Sequence, residues 1–532
     1  MKRCKLVITA LLGTTMLSLG AAQAKTLVYC SEGSPEGFDP ALYTAGTTFN
    51  ASSRPVYSQL VEFERGTTNT VPGAAESWEV SDDGLEYTFH LRPGVKFQTT
   101  DFFTPTRDLN ADDVVFSFER QLKADHPWHE YTAGTSWEYF SGMSMPDLLK
   151  EIVKVDDLTV KFVLTRPEAP MVANLAMDFA SIMSKEYADQ LEAAGKKEQL
   201  NQQPVGTGPF QWVAYQKDAV IRYKAHPDYW DGKQPIDDLV FAITTDASVR
   251  QQKLKAGECH VAPYPNPADI DDLKADPNLE VMEQEGLNVG YLAYNTQQEP
   301  FDNVKVRKAL NMAINKEAIL EAVYQGAGAV AKNPIPPTMW SYNEDIEDDP
   351  YDPEAAKKML EEEGVSDLNL KIWAMPVQRP YNPNARRMAE LMQADFKEVG
   401  VNVEIVTFEW GEYLERSKDL KRDGAVLLGW TGDNGDPDNF LAILLGCDAV
   451  AGANRAQWCN EEFNDLIQRA KTLSDREERA ELYREAQVVF KREAPWATIA
   501  HSIVFMPMSK KVKNYKMDPL GSHRFDGVDL EE

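Results

Sequence analysis

Basic residues are in short supply. Only 55 Lys and Arg face 84 Asp and Glu, for a formal net charge of −29. Nucleic acid and anionic lipid repel a chain this acidic, so neither is expected as a partner. Histidine is scarcer still, with seven residues scattered singly. His129-Glu130 lacks a second histidine four positions on, so the helix of the zinc proteases is missing. A Gly-x-Ser-x-Gly elbow and a Walker loop are missing too. The acidic run Gly432–Asp438 fails EF-hand spacing and has no distal bidentate glutamate. These absences argue against an enzyme, a resident metal or a cofactor. There are no low-complexity tracts or internal repeats. Beyond the N-terminus no apolar run is long enough to span a bilayer.

The first residues do carry a signal. Lys2, Arg3 and Lys5 precede an apolar run from Leu6 to about Leu19, and Ala22-Gln23-Ala24 supplies a small-x-small site. Cleavage is expected after Ala24, making 1–24 a signal peptide and Lys25 the first mature residue. Cys4 lies in the basic segment and not at the cleavage point, so a lipid anchor is not expected. The reading is a free protein in a Gram-negative periplasm. Losing the three basic residues takes the formal charge from −29 to −32.

Four of the five cysteines survive that cleavage: Cys30, Cys259, Cys447 and Cys459. An even number in an oxidising compartment implies disulfides. Three pairings exist on paper. Cys447 and Cys459 flank a short polar loop and form the favoured local pair, leaving Cys30 with Cys259. No Cys-x-x-Cys is present, so these are staples, not redox groups.

Roughly 500 mature residues exceed what one core usually serves, so two or more lobes are expected. Thr26–Cys30 reads as a strand, and Leu85–Leu91 alternates as a half-buried one. Asn110-Ala111-Asp112-Asp113 opens a helix with acidic residues at its positive end. Asp157–Leu164, Val205–Phe210 and Val220–Tyr223 read as further strands. Leu287–Asn295 leads into a helix predicted from about Asn303 to Tyr324. Asp352-Pro353 is an N-cap with proline at the first helical position, and Gly364 ends that helix. Leu368–Met375 is a strand, and a helix carrying Met388, Leu391, Met392, Phe396 and Val399 on one face ends at Gly400. Val401–Ile405 and Ala425–Trp430 resume strand. This alternation predicts a mainly parallel sheet with covering helices.

Two loops stand out by position. Pro376–Pro383, with Arg379, follows the strand ending at Met375, and Asp433 follows the strand ending at Trp430. Both fall at the carboxyl edge of a parallel sheet, where open α/β domains bind ligands. A guanidinium and a carboxylate so placed suit the two ends of a zwitterionic peptide. The alternative is a pair of exposed loop charges, or a pair bonded to each other. Trp430 and Trp410 suit either ligand side chains or the core.

Several segments carry a family resemblance. They are Gly206-Thr207-Gly208-Pro209-Phe210, the stretch from Asn288 to Asn315, and Trp78–Gly84 running into Phe89–Phe97. With the signal peptide, they resemble extracytoplasmic solute-binding proteins of the peptide/nickel/oligopeptide class. Tyr29–Phe38, Trp373–Arg387 and Trp430–Phe440 are similar to its dipeptide-binding branch. The match covers essentially the whole mature chain.

The resemblance implies an α/β fold of the type II periplasmic-binding-protein (Venus flytrap) kind. Two ligand-binding lobes with mixed sheets would carry an additional inserted α/β lobe. Lobe I would comprise 25–57, 200–285 and 503–532, lobe II 58–199 and lobe III 286–502, with hinge closure over ligand. Arg379 would bind a dipeptide carboxylate and Asp433 its ammonium. Thr44, Pro380, Tyr381, Trp430, Thr431 and Gly432 would line the same site, and the peptide backbone would be held much like an added strand. The implied partner is an inner-membrane ABC permease, with a chemoreceptor left open, and a monomer is the default. Longer oligopeptides, haem or a metal chelate are alternatives on the same fold. A periplasmic hydrolase is a distant one.

Overall fold

The computed structural model describes residues 24–132 and 136–531. The leader lies outside the described residues up to position 23. Among the described residues no helix is long and apolar enough to cross a membrane.

Two sheets frame the molecule. In the first, Thr26–Tyr29 pairs in parallel with Asp238–Ala242, which is followed antiparallel by Val220–Ala225 and then Phe210–Gln216. The second centres on Asn288–Tyr294, buried at every position as an interior strand must be. Ala425–Thr431 and the first half of Trp496–Ser509 flank it antiparallel. Asn369–Trp373 pairs in parallel with both Asn402–Val406 and Ala425–Thr431. The sheet is therefore mixed, not mainly parallel. Helix–strand alternation spoke only for the 352–430 stretch, whereas the antiparallel partners come from distant segments.

Trp496–Ser509 ties the sheets together. Its first half pairs with Asn288–Tyr294 and its second half, from Ile503, with Leu279–Glu285. Val261 then bridges Met508 to Tyr29 of the first sheet. Two neighbouring crossings thus connect the layers, at Gly286-Leu287 and at Ser502-Ile503. They are joined side to side: the Ser502 N–H donates to Asn288 Oδ1 at 3.0 Å.

A third sheet is wholly antiparallel and orders Ala75–Val80, Glu86–Leu91, Thr159–Leu164 and Leu149–Asp156. The helix Ala111–Leu122 covers it and starts in a capping box, Asn110 with Asp113. Its Arg120 is fully buried and holds Asp39 of the N-terminal segment through two hydrogen bonds, at 2.5 and 2.8 Å. Tyr131 donates to the same carboxylate at 2.6 Å. These three hydrogen bonds onto the buried Asp39 carboxylate fix this sheet to the N-terminal segment.

Three sequence expectations need adjustment or are answered here. The helix predicted over 303–324 is broken: Val304–Ala313 ends, Lys316–Ile319 starts afresh, and Leu320–Tyr324 is a π turn. Asn315 makes the break, its side chain accepting from the Ala318 N–H at 3.0 Å while its own N–H donates to Asp395 at 2.9 Å. Residues 204–209 are loop, with strand starting only at Phe210, because Gly206 and Gly208 press directly on the Val56 backbone. The disulfides are Cys30–Cys259 and Cys447–Cys459.

Candidate functional site

The parallel strands Asn369–Trp373 and Ala425–Thr431 deliver two loops to one edge of the second sheet. The first is a tight turn, with the N–H groups of Arg379 and Asn382 donating to each other's carbonyls at 3.1 and 3.0 Å. It lies flat on the sheet because two cross-strand partners, Gly290 and Gly429, lack side chains. A Cβ on Gly429 would fall 2.2 Å from the Tyr381 ring, and one on Gly290 would fall 2.5 Å from the Tyr381 carbonyl. Ser502 at the crossing donates to the Pro380 carbonyl at 2.5 Å, and Tyr324 donates to that of Tyr381 at 2.7 Å.

A cavity opens between this edge and the N- and C-terminal segments. It holds about 780 Å³ of space not filled by atoms, part of it open to solvent. Thr44, Arg379, Pro380, Tyr381, Trp430, Thr431 and Asp433 all line it, as does Trp410. Gly432 does not. Its N–H donates to the Leu287 carbonyl at 2.8 Å, and a Cβ there would run into Phe440 and Leu287. The glycine is thus held by packing behind the cavity wall.

Arg379 is buried, and its Nη1 donates to Glu32 Oε1 at 2.7 Å. Glu32 is fully buried and also accepts from the Tyr29 hydroxyl at 3.2 Å. Arg379 Nε makes no hydrogen bond, and Nη2 faces Gly46. The rings of Tyr264 and Trp410 flank the guanidinium at 5.8 and 5.9 Å. Burial opposes its charge, but Glu32 more than compensates and holds the proton firmly.

Asp433 has the opposite problem. Among the described residues no cation lies within ion-pairing distance of it. Tyr139 donates to its Oδ2 at 2.6 Å. Its own N–H and the Trp430 indole N–H both donate to Asn439 Oδ1, at 2.8 and 3.0 Å. Behind it Asp178 is paired with Arg54 at 2.8 Å. Burial pushes the Asp433 carboxyl up to about 7, and the like charge of Asp178 adds to the rise. Tyr139, Asn439 and Arg54 pull it back. A buried carboxylate with hydrogen bonds but no counter-ion is poised to take an ammonium.

The two charges are therefore neither exposed nor bonded to each other. Sequence reasoning missed Glu32, Tyr139 and Asn439. Glu32 and Tyr139 come from segments 347 and 294 residues away from their partners, and no local pattern announces such a meeting.

The family model for bacterial extracellular solute-binding proteins, family 5 (Middle), matches residues 69–452. The chain belongs to this family. Among its relatives, the dipeptide-binding protein of Escherichia coli (strain K12) is 59% identical over 525 residues, covering 98% of each chain. Heme-binding protein A of Haemophilus influenzae is 51% identical, over 97% of this chain and 94% of its own. The crystal structure of a dipeptide-binding protein from Pseudoalteromonas sp. SM9913, in complex with Met-Leu, superimposes with a TM-score of 0.92. It is 39% identical and spans 95% of this chain and all of its own. The fold is accordingly the type II periplasmic-binding-protein architecture of family 5.

Proposed function

We propose that this solute-binding protein captures dipeptides by their two charged ends, in the periplasm, and passes them to an inner-membrane ABC permease. One observation carries the reading. A single cavity presents a buried guanidinium at one loop and, at the next, a buried carboxylate that lacks a counter-ion among the described residues. A zwitterion with both ends free complements that pair: a ligand without an ammonium leaves Asp433 buried and unmatched, and one without a carboxylate leaves Arg379 with Glu32 as its counter-ion and the carboxylate anchor unused. An extended residue spans at most about 3.6 Å, so two fixed anchors also measure ligand length. Side chains have no obligatory partner in this scheme. The relatives are named as binding proteins.

The lobes of the mechanism are residues 25–57, 200–285 and 503–532 as lobe I, 58–199 as lobe II and 286–502 as lobe III. The paired crossings at 286–287 and 502–503 support a hinge there. On closure, water leaves the cavity and both ion pairs strengthen.

Mass spectrometry of small molecules released by denaturing the protein as isolated tests the cargo. Dipeptides are the expected result. Haem, a metal chelate or peptides of three residues and more would replace the reading with one of the alternatives.

A further inference from the structure

One basic side chain in the cavity is left over once the two terminal anchors are assigned. Arg455 lines the same cavity, beside Tyr291, Trp410, Leu414, Leu428 and Ala453. It is only 3% exposed. Its Nε donates to Ser417 Oγ at 2.8 Å and its Nη1 to the Gly452 carbonyl. Among the described residues its Nη2 has no hydrogen-bond partner, yet it is not among the polar atoms sealed from solvent. A neighbouring arginine shows the contrast. Arg422 places all three of its nitrogens on the carbonyls of Ser417, Gly424 and Arg455.

Charge around Arg455 is also incompletely matched. The nearest carboxylate, Glu138, lies 4.0 Å away and is already in contact with Lys418. Tyr291 is held flat by stacking on Trp496, with ring centroids 3.8 Å apart. Its hydroxyl makes no hydrogen bond among the described residues and is not sealed off either. A guanidinium nitrogen and a phenol thus remain in the cavity, alongside the apolar side chains of Trp410, Leu414 and Leu428.

We propose that Arg455, with Tyr291, forms a side-chain subsite that selects dipeptides carrying an acidic residue. The aliphatic stem of a glutamate or aspartate packs against Trp410, Leu414 and Leu428, and its carboxylate accepts from Arg455 Nη2 and the Tyr291 hydroxyl. A charged hydrogen bond in a dry pocket discriminates strongly against the isosteric amide. Lysine and arginine side chains are disfavoured by the same guanidinium. The inference rests on the dipeptide reading and adds a substrate preference to it.

Calorimetry on ligand-free protein at pH 7.5 tests it, with Ala-Ala as reference and the isosteric pairs Ala-Glu/Ala-Gln and Glu-Ala/Gln-Ala as probes. In at least one pair the glutamate form is expected to bind about tenfold more tightly than the amide. In Arg455→Gln that ratio is expected to fall to about one, a change that a purely structural role for Arg455 would not produce. Arg455→Lys serves if the glutamine variant does not fold, and is expected to give a reduced but non-unit ratio. Equal binding of acid and amide in both pairs overturns the subsite, as does a ratio unchanged by the substitution. Failure of Ala-Ala and all four probes to bind overturns the dipeptide reading itself, so the two failures are distinguishable.

Discussion

Tyr139 donates its hydroxyl to Asp433 Oδ2 at 2.6 Å across 294 residues of sequence. The side of the molecule that carries the third sheet therefore supplies one of the groups that stabilise the charged form of Asp433. Without it, burial and Asp178 push the carboxyl higher still. Two pH-dependent outcomes follow. An ammonium binds the carboxylate form, and the free carboxyl protonates near 7. Dipeptide affinity is therefore expected to be highest between pH 7 and 8 and to weaken below 7, by up to about tenfold per pH unit. Proton release on binding, read from the buffer dependence of the calorimetric enthalpy, should appear over the same range. Tyr139→Phe should move the onset of that loss to higher pH. A pH-independent affinity between 5.5 and 7.5 would contradict the assignment of Asp433.

The Arg379–Glu32 pair makes a different prediction. Arg379→Ala removes the proposed carboxylate anchor and strands Glu32, which has no exposed surface. Loss of dipeptide binding is expected, with a stability loss of about 3–5 kcal/mol in chemical denaturation. The double variant with Glu32→Gln should recover much of the stability and none of the binding. That split separates the structural and recognition roles of the arginine.

Gly429 is the least forgiving position under the site. Gly429→Ala places a methyl 2.2 Å from the Tyr381 ring, so the 379–382 turn must lift. A destabilisation of about 1–3 kcal/mol is expected, with clearly weaker dipeptide binding. Unchanged affinity would show that the turn's seat on the sheet does not position Arg379.

Glu168 offers a test of stability against pH. Neither of its carboxylate oxygens has a hydrogen-bond partner among the described residues. Burial pushes it up to about 7, Lys471 opposes the rise, and Asp438 adds to it. The folded value lies above the unfolded one, so the contribution to stability is full at low pH and is lost as pH rises through 7. Between pH 8 and pH 6.5 the ligand-free protein should gain about 0.8 kcal/mol from this group. Glu168→Gln should lose that increment, seen as a smaller change in denaturation free energy than in the wild type. Identical pH profiles for the two proteins would refute it.

What the sequence made legible was local. The Asp352-Pro353 start and Gly364 stop bracket a real helix, with the Asp352 side chain accepting from the Ala355 N–H at 2.9 Å. Arg379 and Asp433 were found because they follow the carboxyl ends of two strands that do run parallel. The rest was hidden for a common reason. Glu32, Tyr139 and Arg455 reach the site from segments whose own patterns say nothing of it. The break at Asn315 was masked by an apolar face that continues through it, with Ile319 and Val323 buried in register. Gly432 looked like a binding-loop glycine, but tight packing against Phe440 and Leu287 explains it instead.

The central claim is double-ended capture. Calorimetry of refolded, ligand-free mature protein with Ala-Ala, N-acetyl-Ala-Ala and a pentapeptide tests it most directly. Tight binding of Ala-Ala alone is predicted, with the acetylated form weaker by about 100-fold or more because Asp433 is left buried without its cation. Equal or better binding of the acetylated dipeptide or the pentapeptide would contradict it, and would mean that the two buried charges do not measure the ends of the ligand.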